Sequence, residues 1–101
     1  MIRVAYPDLG AEEQRLATEV MASGQLVQGA WVARFEALVA ARVGVPYAVA
    51  VSSGTAALHL SLLALGLGPG DEVIVPDYTF PATANVVERA FAKVVLVDVD
   101  P

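Results

Sequence analysis

The stretch AVAVSSGTAALHL, residues 48–60, decides the fold that this sequence predicts. An apolar, β-branched run over residues 47–51 leads into four small residues, 52–55, and then into an apolar segment of helix-forming residues. An apolar run without alternation is typical of a parallel strand that is covered on both faces. A strand that passes directly into a helix is the first half of a βαβ unit, so the junction predicts an α/β fold with a parallel sheet.

The sequence after this junction continues the alternation. It predicts a helix over residues 55–67, a strand over 73–75, a helix over 81–92 and a strand over 94–99. The order strand, helix, strand, helix, strand is the signature of α/β architecture. The glycine-rich stretch GLGPGDE, residues 66–72, follows a helix and precedes a strand. It is therefore interpreted as a helix end and a turn, not as a nucleotide-binding loop.

Two helices are predicted before the first strand. The first covers residues 11–22, with acidic residues in its first turn and Gly24 placed to stop it. The second covers residues 30–42 and carries one apolar stripe, formed by Trp31, Phe35, Leu38 and Val39. We interpret the stripe as a packing surface. An aromatic ligand platform is the alternative.

The composition indicates that the chain is part of a larger fold. Of its 101 residues, 56% are hydrophobic and 17% are charged, whereas average soluble domains carry roughly 25% charged residues. A small domain buries a smaller share of its surface than a large one, so this excess predicts faces that further chain or a partner covers. We expect one incomplete domain over residues 1–101, with an N-terminal helical segment at residues 1–44 and an α/β segment at residues 45–101.

Charge and the rare residue types exclude several classes of function. The net charge is -5 without a basic cluster, so neither nucleic acid nor an anionic membrane is an expected partner. The chain has no cysteine and one histidine, which argues against disulfides and a metal site. The start of the sequence lacks the pattern of a signal peptide, so we expect a cytoplasmic protein. The uncharged run over residues 43–70 is interrupted by Pro46 and residues 52–55, which disfavours a membrane span.

The strand-to-helix junction carries candidate binding residues. Backbone N–H groups in the first turn of a helix lack partners within the helix and favour an anion, above all a phosphate. Gly54 permits close approach and Thr55 adds a hydroxyl group. The alternative is structural, with Ser52 or Ser53 as an N-cap and Gly54 easing the turn. From the residues alone, the phosphate site and the structural N-cap both stay open. Neither a Walker loop nor a dinucleotide fingerprint occurs at this junction.

A second candidate loop, PDYTFPATAN at residues 76–85, follows the next predicted strand. It lies at the carboxyl end of that strand, where ligands bind in open α/β sheets. Tyr78 and Phe80 are candidates to stack on a planar ligand. Three polar residues are candidates to hydrogen-bond it: Asp77, Thr79 and Asn85.

Two single residues are interpreted structurally. His59 is the only histidine and lies in the apolar helix without an evident partner in the sequence, so we expect a partly buried structural side chain. Lys93 is the only lysine and precedes the last predicted strand. We interpret it as an edge or turn residue, not as a site of covalent cofactor attachment.

Four blocks, in this order and spacing, resemble the N-terminal part of the DegT/DnrJ/EryC1/StrS family of pyridoxal-phosphate-dependent sugar aminotransferases. The blocks are SSGTAALHL at residues 52–60, ALGLGPGDEVIVP at 64–76, YTFPATANVV at 78–87 and VDVDP at 97–101. Residues 23–45 resemble the N-terminal helices of the same family, so the resemblance covers essentially the whole chain. It implies an N-terminal fragment of the large domain of a fold type I transferase, with two helices followed by β-α-β-α-β.

The resemblance also implies a cofactor site. Gly54, Thr55 and Ala56 would hold the phosphate of pyridoxal 5'-phosphate, and Phe80 would stack on its pyridine ring. The family further needs an acid that faces the pyridine nitrogen and a lysine that attaches the cofactor covalently. Members carry both in later sequence, and no lysine of this chain matches the second, so no catalytic residue is assigned.

Further implications concern activity and partners. The resemblance implies a homo-oligomer, in the first place a dimer, that transfers an amino group from glutamate to a keto sugar, in particular a nucleotide-linked one. Because the lysine and the acid are missing, this chain is expected to be inactive alone. The alternative is a non-catalytic phosphate-binding or protein-interaction module derived from the same fold.

Two features of the resemblance bear on the structure of the isolated chain. The family usually has Gly-Ala-x-Pro before the third strand, where this sequence has Phe91 to Val94. If the glycine is a left-handed cap, Phe91 costs roughly 1 kcal/mol or more there, so we expect a rebuilt helix end. The family's first strand also lies apart from the second and third, separated by strands from later sequence. We therefore expect altered strand pairing, dimerisation through exposed edges or partial disorder.

Overall fold

A computed structural model describes residues 5–100. Within this range the chain forms four helices and two strands, in the order α1 (Ala11–Ser23), α2 (Ala30–Val43), α3 (Gly54–Ala64), β1 (Glu72–Pro76), α4 (Ala82–Arg89) and β2 (Lys93–Val97). The chain divides into two compact units, residues 1–50 and residues 51–101. None of the helices within residues 5–100 is long and apolar enough to cross a membrane.

The first unit contains α1 and α2, which confirm the two predicted N-terminal helices. At the start of α1 the Glu13 carboxylate accepts a hydrogen bond from the Gly10 N–H at 2.7 Å. This bond satisfies one of the donors that a helix start leaves without an intrahelical partner. Both helices end at a left-handed glycine, Gly24 with φ 69° and Gly44 with φ 76°. Gly24 is the stop that the sequence predicts.

The apolar stripe of α2 is only partly buried. Trp31 and Val39 are half-buried, whereas Phe35 is 57% exposed and Leu38 is 61% exposed. Phe35 and Leu38 line a cavity together with Leu16 and Trp31, and for these two residues the packing surface stays a prediction. Arg34 lies over the Trp31 ring, with 5.7 Å between its Cζ atom and the ring centroid, which is within cation–π range.

Residues 47–51, the first predicted strand, belong to no sheet among the described residues. The side chains of Tyr47 and Val49 are 85% and 80% exposed. A strand forms only where a neighbour pairs with its N–H and C=O groups, and here the Ala50 N–H donates instead to the Glu36 carboxylate of α2 at 2.8 Å. The strand assignment is therefore wrong for this chain.

The second unit contains a two-stranded parallel sheet. β1 pairs with β2, with Glu72 opposite Lys93 and Val75 opposite Leu96. These are the second and third predicted strands, although β2 begins and ends earlier than the predicted range of 94–99. α4 packs on one face of the sheet, where Val75, Val87 and Ala92 form a buried core. This face positions the loop that follows β1 beside the start of α4.

α3 ends earlier than predicted, in a Schellman motif. Gly66 has φ 76°, its N–H donates to the Leu63 carbonyl at 3.0 Å, and the Leu67 N–H donates to the Leu62 carbonyl at 3.1 Å. This pair of bonds terminates a helix and favours glycine at the left-handed position. The turn that follows confirms the structural interpretation of the glycine-rich stretch at residues 66–72.

α4 ends in the same motif without a glycine. Phe91 has φ 59°, its N–H donates to the Glu88 carbonyl at 2.9 Å, and the Ala92 N–H donates to the Val87 carbonyl at 3.1 Å. The expectation of a rebuilt helix end is therefore wrong. The end keeps the geometry that favours glycine, and Phe91 adopts the left-handed conformation although its side chain remains 79% exposed.

Candidate functional site

The first turn of α3 contains both a capped and an uncapped set of backbone donors. Ser53 has extended backbone geometry, and its Oγ accepts a hydrogen bond from the Ala56 N–H at 3.1 Å. Ser53 is therefore an N-cap, as the structural alternative proposed. One cap satisfies only one of the orphan donors of a helix start. Within residues 5–100, no acceptor is hydrogen-bonded to the N–H groups of Gly54 and Thr55, which lie at the positive end of the α3 dipole.

One cavity of the second unit is lined by both candidate loops. It has a volume of ≈ 530 Å³ and is lined by residues from the start of α3 and from the β1–α4 connection: Gly54, Thr55, Ala57, Leu58, Phe80, Ala82 and Thr83. The volume lies within the range of about 300–1,000 Å³ that is usual for small-molecule pockets. The cavity combines backbone donors at a helix start with an aromatic ring. That combination can accept a ligand with a phosphate group and a flat ring.

Gly54 fits a ligand that approaches the backbone closely. Its φ is not positive, so its conformation does not need glycine. A Cβ atom built at this position meets no other atom within 4 Å, so internal packing does not need glycine either. Since Gly54 lines the cavity, a side chain here would extend into open space at the cavity wall.

Ala56 differs from the other two predicted phosphate residues. It lines a neighbouring cavity of ≈ 260 Å³ together with Ser53, Thr55, His59, Val86 and Arg89. Its N–H is already bonded to Ser53, so in this conformation it is not a free donor. His59 is half-buried, as predicted, and its Nε2 atom is buried without a hydrogen-bond partner in the described part of the chain.

Hydrogen bonds hold the loop that carries Phe80 at both of its ends. At its start, the Asp77 N–H donates to the Val97 carbonyl of β2 at 2.9 Å. At its end, the Thr83 N–H donates to the Phe80 carbonyl at 3.0 Å, and the Thr79 and Thr83 hydroxyl oxygens are 3.3 Å apart. These bonds fix the backbone of Phe80, while its side chain is 76% exposed. The ring is therefore positioned by its backbone and remains accessible to a ligand.

The structure does not bring every predicted residue to the cavity, and it adds others. Tyr78, Asp77 and Asn85 do not line it, whereas Thr83 does. Arg89 places a cation on the neighbouring cavity. Both Thr83 and Arg89 are on α4, and no local pattern distinguishes them, because their position depends on how α4 packs against α3.

Lys93 lies outside both of these cavities. It opens β2, and its Nζ atom is 2.6 Å from Glu72 Oε1 at the start of β1. The hydrogen bond from Lys93 to Glu72, together with the Glu72 charge, raises the pKa of the lysine. A raised pKa disfavours the uncharged amine that attacks an aldehyde. Lys93 is thus an ion-paired residue at the sheet edge.

The chain resembles known proteins along almost its whole length. The sequence profile of the DegT/DnrJ/EryC1/StrS aminotransferase family matches residues 7–101. The chain is 46% identical to the GDP-perosamine synthase of Caulobacter vibrioides, over 99% of this chain and 27% of that protein. It is 49% identical to the spore coat polysaccharide biosynthesis protein SpsC of Bacillus subtilis, over 95% of this chain and 25% of that protein.

Solved structures give the same result. The aminotransferase of Psychrobacter cryohalolentis matches with a TM-score of 0.85 and 36% identity, over 95% of this chain and 25% of that chain. NtdA of Bacillus subtilis, solved with its bound cofactor PMP, matches with a TM-score of 0.77 and 40% identity, over 87% of this chain and 20% of that chain. These matches confirm the predicted fold class and imply pyridoxal phosphate as the cofactor of the family.

The chain spans about a quarter of the length of the curated relatives it matches. The profile match, in contrast, extends over almost all of the chain itself. The fold of the described residues, the blocks that carry the resemblance and the profile match agree with one another. This chain therefore belongs to the DegT/DnrJ/EryC1/StrS aminotransferase family.

Proposed function

We propose that this chain forms the phosphate-binding and ring-stacking part of a pyridoxal phosphate site in a sugar aminotransferase. The observation that carries the proposal is the single cavity lined by Gly54, Thr55 and Phe80. Ala56 joins the phosphate site when the Ser53 hydroxyl releases its N–H. The cofactor phosphate would then interact with consecutive backbone donors at the start of α3.

The residues of this chain hold and orient the cofactor. When bound, pyridoxal phosphate supplies the electron sink for amino transfer. The Gly54 and Thr55 N–H groups donate to the phosphate, and the dipole of α3 stabilises its negative charge. The Phe80 ring limits the orientations of the flat pyridine ring by stacking on it.

The chemical step would use residues that this sequence does not contain. No residue here matches the attaching lysine or the acid that faces the pyridine nitrogen, so we propose that the chain alone does not transaminate. In a protein that supplies them, the reaction would transfer an amino group from glutamate to a keto group of a nucleotide-linked sugar. We further propose a cytoplasmic homo-oligomer, in the first place a dimer. The sugar, the donor and the oligomer are carried over from the family resemblance.

A second candidate function is a non-catalytic phosphate-binding or protein-interaction module of the same fold. The N–H groups of Gly54 and Thr55 support it, because they can bind an anion without a lysine, and the only lysine of the chain is paired with Glu72 outside the cavity. The two functions predict the same result for this chain alone when pyridoxal phosphate and borohydride are added and the protein mass is measured. Neither a module nor this chain alone gives a stoichiometric, cofactor-sized mass increase at a residue that lines the cavity. Only a chain supplemented with the missing lysine separates them, by a stoichiometric increase.

Replacing Phe80 with leucine is expected to weaken binding of pyridoxal phosphate roughly three- to tenfold, because ring stacking contributes about 0.5–1.5 kcal/mol. Binding of inorganic phosphate should be unchanged, since it does not use the ring. Isothermal titration of the 101-residue chain with each ligand measures both affinities. The matched control is Tyr78→Leu, which removes an aromatic side chain that is 90% exposed and outside the cavity. Equal losses in the two variants would contradict the assignment of Phe80.

Replacing Gly54 with alanine is expected to weaken the binding of both pyridoxal phosphate and inorganic phosphate by about tenfold. The added methyl group would hold the phosphate away from donors whose charge-assisted hydrogen bonds contribute about 1.5–3 kcal/mol. Stability should not fall, because the Cβ meets no other atom within 4 Å and alanine is the better helix former.

The control for Gly54 is Ser53→Ala in the same turn. Loss of the N-cap should lower the free energy of unfolding by about 1 kcal/mol without weakening phosphate binding, because it frees the Ala56 N–H. Urea unfolding and phosphate titration separate the two effects. A Gly54→Ala variant that binds phosphate as tightly as the parent chain would show that the phosphate site lies elsewhere.

A further inference from the structure

The cavity next to that of Phe80 contains an arginine, and we call it the Arg89 cavity. It has a volume of ≈ 260 Å³. Its lining comes from α3 with its N-cap and from α4: Ser53, Thr55, Ala56, His59, Val86 and Arg89. None of these six residues is acidic, so no carboxylate of the lining opposes the positive charge of Arg89.

The guanidinium group of Arg89 is available for a ligand. Within residues 5–100 it forms neither an ion pair nor a hydrogen bond, and the residue is exposed. The guanidinium of Arg15, in contrast, bonds to the carboxylates of Glu12 and Glu19. An arginine that pairs with none of the described carboxylates can bind an anion from solution, and a phosphate matches its donors.

The position of Arg89 in its helix has a structural explanation that must be separated from ligand binding. A cation in the last turn of a helix interacts favourably with the negative end of the helix dipole, whatever else it faces. Arg89 lies in the last turn of α4, and Arg42 has the same place in α2. Arg42 lines neither the Phe80 cavity nor the Arg89 cavity. It is therefore a matched control for the dipole effect.

The Arg89 cavity borders the proposed phosphate site. Thr55 lines both this cavity and the Phe80 cavity. Ala56, which the family resemblance also assigns to the phosphate, lines the Arg89 cavity. Gly54 lines the Phe80 cavity, so the three predicted phosphate residues are distributed over the two cavities.

A phosphate monoester at the start of α3 carries two negative charges above a pKa of about 6. The N–H groups of Gly54 and Thr55 are neutral donors, and hydrogen bonds between neutral groups are about half as strong as those to ionised groups. Among the described residues that line the two cavities, Arg89 is the only lysine or arginine. It is thus the group that can supply a full positive charge to this phosphate.

We propose that Arg89 is a further phosphate-binding residue of the cofactor site. Its guanidinium donates hydrogen bonds to the phosphate that the N–H groups at the start of α3 also bind. The inference rests on the proposed function and adds to it the charge that favours a phosphorylated ligand over an unphosphorylated one.

Isothermal titration with pyridoxine 5'-phosphate and with pyridoxine tests the proposal. Neither compound has an aldehyde, so neither forms an imine with Lys93. At about 0.1 M salt, where charges more than about 10 Å apart are screened, Arg89→Gln should weaken binding of pyridoxine 5'-phosphate about tenfold. Binding of pyridoxine should be unchanged.

Two further variants control for charge and for the helix dipole. Arg89→Lys keeps the charge but not the planar fork of donors, so it should recover part of the loss. Arg42→Gln removes the same charge from the last turn of α2 and should bind pyridoxine 5'-phosphate as tightly as the parent chain does. Circular dichroism of each variant checks that its helices are retained.

Phosphorus nuclear magnetic resonance gives a readout that a purely structural role of Arg89 would not change. A guanidinium beside the phosphate favours the dianion, so the second pKa of the bound phosphate should lie below its usual value of about 6 in the parent chain. In Arg89→Gln this pKa should rise. The titration follows the phosphorus shift of bound pyridoxine 5'-phosphate against pH.

The proposal is overturned if Arg89→Gln and Arg42→Gln bind pyridoxine 5'-phosphate equally well, or if the pKa of the bound phosphate is the same in Arg89→Gln as in the parent. A loss of binding in Gly54→Ala but not in Arg89→Gln would remove Arg89 from the site and leave the proposed function intact. A loss in Arg89→Gln but not in Gly54→Ala would support Arg89 and contradict the proposed role of Gly54.

Discussion

Replacing Val87 with alanine is expected to lower the free energy of unfolding by roughly 2 kcal/mol, because the change removes two buried carbons and leaves a cavity. Val87 is 1% exposed and packs with Val75 and Ala92 in the core of the second unit. That core joins α4 to both strands. The described residues include few other large buried side chains. The neighbouring side chains therefore have little capacity to fill the cavity. Urea unfolding, followed by circular dichroism, measures the change.

The matched control for Val87 is its neighbour on the same helix. Glu88 is exposed, and Glu88→Ala should change the free energy of unfolding by no more than about 0.5 kcal/mol. Both variants alter the same turn of α4, so the difference between them isolates the buried packing. Equal changes in the two variants would contradict the core as described.

Replacing Phe91 with glycine is expected to raise the free energy of unfolding by about 1 kcal/mol. A left-handed conformation costs a residue with a Cβ atom roughly 1–2 kcal/mol, and part of that gain is offset by the greater flexibility of glycine in the unfolded chain. The phenyl ring is 79% exposed, so its loss removes little packing. For a domain of this size the midpoint of thermal unfolding should rise by about 4–8 °C.

Two further variants separate backbone strain from the side chain. Phe91→Ala keeps a Cβ atom in the left-handed position, so its stability should stay within about 0.5 kcal/mol of the parent. Gly66→Ala introduces the same strain into the matching motif of α3 and should lower stability by about 1 kcal/mol. If Phe91→Ala stabilised the chain as much as Phe91→Gly, the cost would come from the exposed ring and not from the backbone.

The sequence predicts well those elements that are determined by local physics. α1 and α2 follow from helix propensity and from the glycines that end them, Gly24 and Gly44. The segment 47–51 has the composition of a strand, but a strand also needs a neighbour in space. Composition gives no information about that neighbour, and these residues pair with no strand among the described residues.

The end of α4 shows a different limit. The sequence indicates that a left-handed Phe91 costs conformational free energy. It does not indicate which interactions offset that cost. The Ala92 N–H bonds to the Val87 carbonyl, and both side chains belong to the buried core. The tertiary packing therefore determines the helix end, and it outweighs the preference of Phe91 against the left-handed conformation. A prediction based on the local cost alone was wrong for that reason.

The candidate site was predictable in part. Gly54 and Thr55 were predicted from the free backbone donors of a helix start, and Phe80 from a loop at the carboxyl end of a strand, where ligands bind in α/β folds. Their common cavity is consistent with that expectation. Thr83 and Arg89 were missed because they reach the cavities through the packing of α4 against α3, which no local pattern shows.

The central claim is that the start of α3 and the ring of Phe80 bind the two ends of one cofactor. Nuclear magnetic resonance of the ¹⁵N-labelled chain during titration with pyridoxal phosphate tests it most directly. We expect the largest shifts at the amides of Gly54 and Thr55 and at the ring protons of Phe80, and we expect pyridoxal, which lacks the phosphate, to leave the two amides unshifted. Unchanged Gly54 and Thr55 amides at saturating pyridoxal phosphate, or shifts centred on Trp31 and Arg34, would contradict the account.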